Sequence, residues 1–262
     1  MGMGETRLVR REGADVEVHL DGPANGPAMV LLPSLGRGAE DYNGIVPLLA
    51  AAGLRCIRPE PRGIGQSRGE MTGLTLHDLA ADVAAVIEAE RAGRVLLVGH
   101  AFGNWVARVL LNDRPEQVRA IAILAAAITT EIDPGIRASI NGSFDMSLSE
   151  EERLAHLRRG YFAPGNDARV WLPGWHPPVA RMQREATNAT TERSWLRAAE
   201  RTRLLYVAAA EDTISPPPTL EALQAAMGPR AELIVVPRAG HALLPEQPEA
   251  TARALISFAG QS

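Results

Sequence analysis

The sequence predicts an α/β fold: a mostly parallel eight-stranded sheet flanked by helices, with an inserted helical cap. Three observations carry that expectation. Apolar strand-like runs alternate with amphipathic helical stretches through the first half of the chain, as parallel strands joined by crossover helices require. The alternation lapses between about residues 129 and 202, where the segments are helical and no core strand is evident. It resumes at residue 203 and continues to the last helix. The expected division is therefore a core of residues 1–128 and 203–262 and a cap of residues 129–202.

Taken in order, residues 5–20 read as two strands joined near Gly13, with Val16, Val18 and Leu20 alternating on one face and His19 on the wetter one. The run PAMVLLP at 27–33 is apolar without alternation, as in a strand covered on both faces. Helical spacing follows from about Ala39 to Ala52, and LRCIRP returns to strand. Thr75 is placed to cap a helix whose Leu76, Leu79, Val83, Val86 and Ile87 form one stripe, with Gly93 as its stop. RVLLVG, an amphipathic helix over 102–113 and VRAIAILAA at 118–126 complete the first half. After the cap come RLLYVAAAE, a helix near 217–227, AELIVVP and a final helix around 248–259.

At 262 residues the chain suits one large domain. Apolar residues make up 46% and charged residues 22%, which provides for a substantial core. The formal net charge of −4, with arginines dispersed among carboxylates, excludes a nucleic-acid surface from the expectation. Cys56 is the single cysteine and lies in an apolar run, so it reads as a small core side chain rather than a reactive thiol. The N-terminus lacks the apolar segment of a signal peptide and no run reaches membrane-spanning length, so a soluble cytoplasmic protein without membrane partners is expected.

Chemistry concentrates at LLVGHAFGN, residues 96–104. Gly99, Ala101 and Gly103 have the spacing G-x-S-x-G, with alanine at the serine place. That spacing has a steric cause: a strand turning sharply into a helix needs small residues two before and two after the apex to pack closely. Alanine fits the same backbone, because the strain lies in the turn and not in the hydroxyl. His241 follows the strand AELIVVP, after Gly240, and a loop histidine there can reach across the carboxyl edge of the sheet. Asp212 follows RLLYVAAAE at a neighbouring strand end, with Glu211 one residue off as second choice.

With these segments together the chain resembles the α/β-hydrolase superfamily, especially its capped esterase, lactonase and carbon–carbon-bond hydrolase members. GHAFGN matches their G-H-S-x-G-G/N pattern. PEPRGIGQS, from Pro59 to Ser67, matches P-D-x-R-G-x-G-x-S with Glu60 for aspartate. LLPSLG replaces the H-G-x oxyanion segment, with Leu35 at the oxyanion position. The resemblance implies a seryl nucleophile at position 101, His241 as its base and Asp212 orienting the imidazole. It also implies an oxyanion hole made by the backbone amides of Leu35 and Phe102, with Arg62 tying down its own loop.

The implied substrate is a small carboxylic ester or lactone, with amide and carbon–carbon-bond hydrolysis as alternatives. Relatives acting on epoxides or haloalkanes place aspartate at the elbow, where this chain has Ala101. No cofactor is required, since water completes acyl transfer, and neither a phosphate-binding loop nor a metal-ligand cluster such as H-E-x-x-H occurs. Trp171, Trp175, His176 and Trp195 are the candidate substrate contacts in the cap; the competing reading is that the tryptophans bind the cap to the core. The present chain reads as a serine hydrolase whose nucleophile has been replaced by alanine, the rival being a ligand-binding protein that uses the cleft without turnover. Amphipathic cap helices leave a homo-oligomer open.

Overall fold

The computed structural model describes residues 4–126 and 132–261. The first half contains β1 (Glu5–Arg11), β2 (Ala14–Asp21), β3 (Ala28–Leu32), α1 (Val46–Ala51), β4 (Arg55–Pro59), β5 (Arg68–Gly69) and α2 (Leu76–Ala89). It continues through β6 (Val95–His100), α3 (Gly103–Asp113) and β7 (Val118–Leu124). The cap holds α4 (Pro134–Phe144), α5 (Glu150–Gly160) and α6 (Pro177–Ala189), with 3-10 turns at Ala168–Trp171 and Ser194–Arg201. The chain returns to the core as β8 (Arg203–Ala209), α7 (Leu220–Met227), β9 (Ala231–Val236), α8 (Leu243–Glu246) and α9 (Pro248–Gly260). The expected start of the cap at residue 129 lies outside the described residues.

Eight strands form one path in the order β1-β2-β4-β3-β6-β7-β8-β9, and the two-residue β5 pairs with β2 beside it. Pairing is parallel from β4 through β3 to β9 and antiparallel at the β1–β2–β4 edge. The unbroken apolar runs are explained by two cores, one on each face of the sheet. Val30, Leu32, Leu97 and Ile121 face the side covered by α2 and α3. Met29, Leu31, Leu96 and Ala122 face the side where α1 and α9 pack. Successive side chains of one strand thus enter different cores, and neither face tolerates polar residues.

Local signals behave as their chemistry dictates. Thr75 and Asp78 form a reciprocal cap, the Thr75 amide donating to Asp78 Oδ2 at 2.8 Å. The stretch from Ala39 to Ala52 differs from expectation: it is a 3-10 turn at Ala39–Tyr42 followed by the short α1. The Asn43–Gly44 pair and Pro47 interrupt what apolar spacing alone reads as one helix. Cys56 is fully buried and burial pushes its thiol up to about 12, so the core reading stands. His19 is not a plain surface residue: its Nε2 lies 3.3 Å from Glu60 and 3.5 Å from Glu17. Among the described residues, no helix is long and apolar enough to cross a membrane.

Candidate active site

The elbow is a two-residue turn between β6 and α3. Ala101 sits at φ +46°, a left-handed conformation that non-glycine residues seldom hold without support. Support comes from both sides. The Ala101 amide donates to Leu124 O at 3.0 Å, and the Ala101 carbonyl accepts from Asn104 N at 3.1 Å and Asn104 Nδ2 at 2.7 Å. The flanking glycines are required by contact: a Cβ on Gly99 would lie 2.5 Å from Asn104 N, and one on Gly103 would run into the Leu32 carbonyl. Position 101 is therefore held for a side chain projecting from the turn, whatever that side chain is.

Asp212 and His241 arrive from adjacent parallel strands, β8 and β9, whose carboxyl ends lie side by side. Asp212 Oδ1 accepts from the Ile214 and Ser215 amides at 2.8 Å each, which leaves Oδ2 facing His241 Nδ1 at 2.9 Å. Both side chains are buried. Glu211, the second choice, points to solvent, so the structure pairs the histidine with Asp212.

His100 supports this arrangement from below. Its ring is fully buried, and burial together with the nearby His241 holds its pKa down at about 3. It is therefore neutral near pH 7, and its Nε2–H donates to the His241 carbonyl at 2.8 Å. Gly240 is fixed next to it, its amide donating to Glu246 Oε2 at 2.7 Å.

The oxyanion loop has a different source of order. Gly36 adopts φ +65°, its amide donates to Gln183 Oε1 of α6 at 2.8 Å, and its carbonyl accepts from His176 N at 2.9 Å. Arg37 is buried behind it in a bidentate pair with Asp41, with Nε–O distances of 3.0 and 3.1 Å. The Arg37 guanidinium lies 4.6 Å from the Trp171 ring and 4.8 Å from the Trp175 ring. With Gly36 and Ala101 amides engaged, the amides of Leu35 and Phe102 have no acceptor among the described residues. Arg62 holds its loop as expected, donating from Nε and Nη2 to Asp82 at 2.6 and 2.9 Å.

A cavity of about 520 Å³ opens between core and cap, and Ala101, His241, Leu35 and Phe102 all line it. None of the four cap residues expected to touch substrate, Trp171, Trp175, His176 and Trp195, lines this cavity. Trp171, Trp175 and Tyr161 meet edge to face, with the Arg37 guanidinium over both indole rings. Trp195 packs against Trp105 and over Arg108. His176 contributes its backbone to Gly36 and is half-buried away from the cavity. Large flat rings fill the seam between layers better than they line a polar-mouthed cleft, and here the seam takes them.

On the cap side, polar side chains line the cavity beside Ile132, Ile140 and Tyr161. Arg137, Ile140 and Asn141 of α4 and Arg184, Thr187 and Asn188 of α6 line it side by side, joined where Arg184 Nη2 donates to Asn141 Oδ1. Each set has i, i+3, i+4 spacing, so each is one helical stripe. In sequence such a stripe reads as a solvent face, which is why it carried no signal. Trp105 and Asn104 also line the cavity, and their positions on the first turn of α3 follow from the elbow.

This architecture agrees with the comparisons. The model of the Alpha/beta hydrolase family matches residues 29–254, and the chain belongs to that family. It is 36% identical over 111 residues to RutD of Variovorax paradoxus, named for carbamate hydrolysis, covering 42% of this chain and 41% of that one. It is 32% identical over 130 residues to epoxide hydrolase A of Mycobacterium tuberculosis, covering 48% of this chain and 40% of the relative. These alignments thus span about two-fifths of each relative's length. A hydrolase structure from Pseudomonas aeruginosa PA01 superposes with a TM-score of 0.78 at 23% identity, over 99% of this chain and 100% of the other.

Proposed function

We propose that the cleft is built for acyl transfer from a small carboxylic ester or lactone to water, through a seryl step for which this chain has alanine. One observation carries the reading: the Asp212–His241 pair and the unengaged Leu35 and Phe102 amides converge on the cavity that Ala101 faces. With a hydroxyl at position 101, His241 would take its proton as oxygen attacks the carbonyl, and the two amides would bind the developing oxyanion. His241 would then protonate the leaving alcohol and activate water to release the acid. With Ala101 the covalent step is closed, while the binding geometry remains. Loss of the nucleophile of such a unit costs about 10⁶-fold in turnover.

The completeness of the Asp212–His241 pair favours a second reading, in which His241 acts without a nucleophile on a bound water or an acidic substrate proton. Assaying esters, lactones and amides with the chain as it stands and with Ala101→Ser separates the two. The first reading expects turnover to rise by about 10⁵-fold or more on Ala101→Ser and to vanish again with His241→Ala. Turnover in the Ala101 chain that serine does not raise and His241→Ala abolishes favours the second. Tight binding without turnover in either form leaves a ligand-binding protein.

A further inference from the structure

We propose that the ligand of this cavity carries a carboxylate, received by Arg137 and Arg184 of the cap, at the end away from the reacting carbonyl; the second half of that statement rests on the acyl-transfer reading. Among the described residues lining the cavity, the only permanent charges are these two arginines, and none of the lining residues is an acid. Asp212 is turned away from the cavity, engaged by His241 and two amides. Burial pushes the phenol of Tyr161, the remaining ionisable group of the wall apart from His241, up to about 12, so it stays neutral.

Arg184 is also held towards α4, the helix that carries Arg137. Arg184 Nη2 donates to Asn141 Oδ1 at 3.1 Å, which draws it onto α4 one helical turn from Arg137. Its Cζ stands 5.2 Å from the Phe144 ring centroid, which fixes the other flank. Five arginines of the core, Arg11, Arg37, Arg55, Arg58 and Arg62, each reach a carboxylate within 3 Å. Arg137 and Arg184 have no carboxylate partner among the described residues. Two like charges on one wall repel unless an anion lies between them, and a planar guanidinium fork matches a carboxylate in two-point contact.

The test uses monomethyl glutarate against dimethyl glutarate, which differ in one charge. Calorimetry on the Ala101 chain is expected to show about tenfold tighter binding of the half-ester, a preference that shrinks as salt rises. Arg184→Gln and Arg137→Gln each reduce that preference severalfold, and the double variant brings the ratio near unity. In Ala101→Ser the same discrimination appears in KM, with kcat little separated between the two esters. Equal or better binding and cleavage of the diester overturns the carboxylate subsite and leaves acyl transfer standing. Arginine-dependent binding of the half-ester with no cleavage of either ester by Ala101→Ser upholds the subsite and overturns acyl transfer. Binding of neither ester overturns the subsite.

Discussion

Two turns face each other across the cleft, and they are held in place by different means. The elbow at Ala101 is enforced by its own neighbourhood: two glycines whose missing side chains admit strand and helix, and hydrogen bonds to Leu124 and Asn104. The loop at Gly36 is enforced from outside, by Gln183 and His176 of the cap and by Arg37 stacked between cap tryptophans. The apex that would carry the nucleophile is thus part of the core's construction, whereas the amide of Leu35 depends on the cap being seated. A methyl group at position 101 keeps the first turn intact; losing the cap would disorganise the second.

The comparison breaks most sharply at the elbow. Gly103→Ala places a methyl group against the Leu32 carbonyl oxygen, and 2.8 Å from Leu32 C and Pro33 O, all backbone. A loss of about 3 kcal/mol or more in unfolding free energy is expected by urea titration, because strand and helix must separate. A loss under about 1 kcal/mol would show that the turn has slack.

His100 sharpens it next. Its pKa of about 3 lies below the ordinary value of 6.5, so the unfolded chain binds a proton that the folded chain refuses. Stability attributable to this residue is full above pH 6.5 and falls as pH drops towards 3, by roughly 3 kcal/mol at pH 4 at 1.36 kcal/mol per unit. His100→Gln should flatten the acid limb of the stability profile, and an unchanged limb would assign acid loss to other groups.

The smallest effect on stability comes from the loop. Gln183→Ala frees the buried Gly36 amide and should cost about 1 kcal/mol of stability. On an Ala101→Ser background it should lower kcat by about tenfold or more while KM shifts little, as loss of oxyanion alignment requires. A KM effect alone would place Gln183 in binding, not in loop positioning.

Much of the sheet was legible because strands such as Ala28–Leu32, buried on both faces, leave no alternative period. Asp212 was separable from Glu211 only by family resemblance; the strand end itself offers both, and hydrogen bonds from Ile214 and Ser215 select one. The tryptophans left two readings open because a large aromatic in an irregular cap segment looks the same in sequence whether it faces ligand or seam. Arg137 and Arg184 were silent for the converse reason, as exposed arginines on amphipathic helices are ordinary until two helices turn them toward one space.

The sequence alone determined the layered α/β core, the sharp turn at Ala101 and the absence of a nucleophilic oxygen there, since apolar period and small-residue spacing act over a few neighbours. Only the tertiary structure decided which carboxylate meets His241, which amides remain unengaged and which cap side chains line the cavity. Those depend on contacts between segments distant in the chain, 29 residues for Asp212 with His241 and 147 for Gly36 with Gln183, which no local pattern encodes.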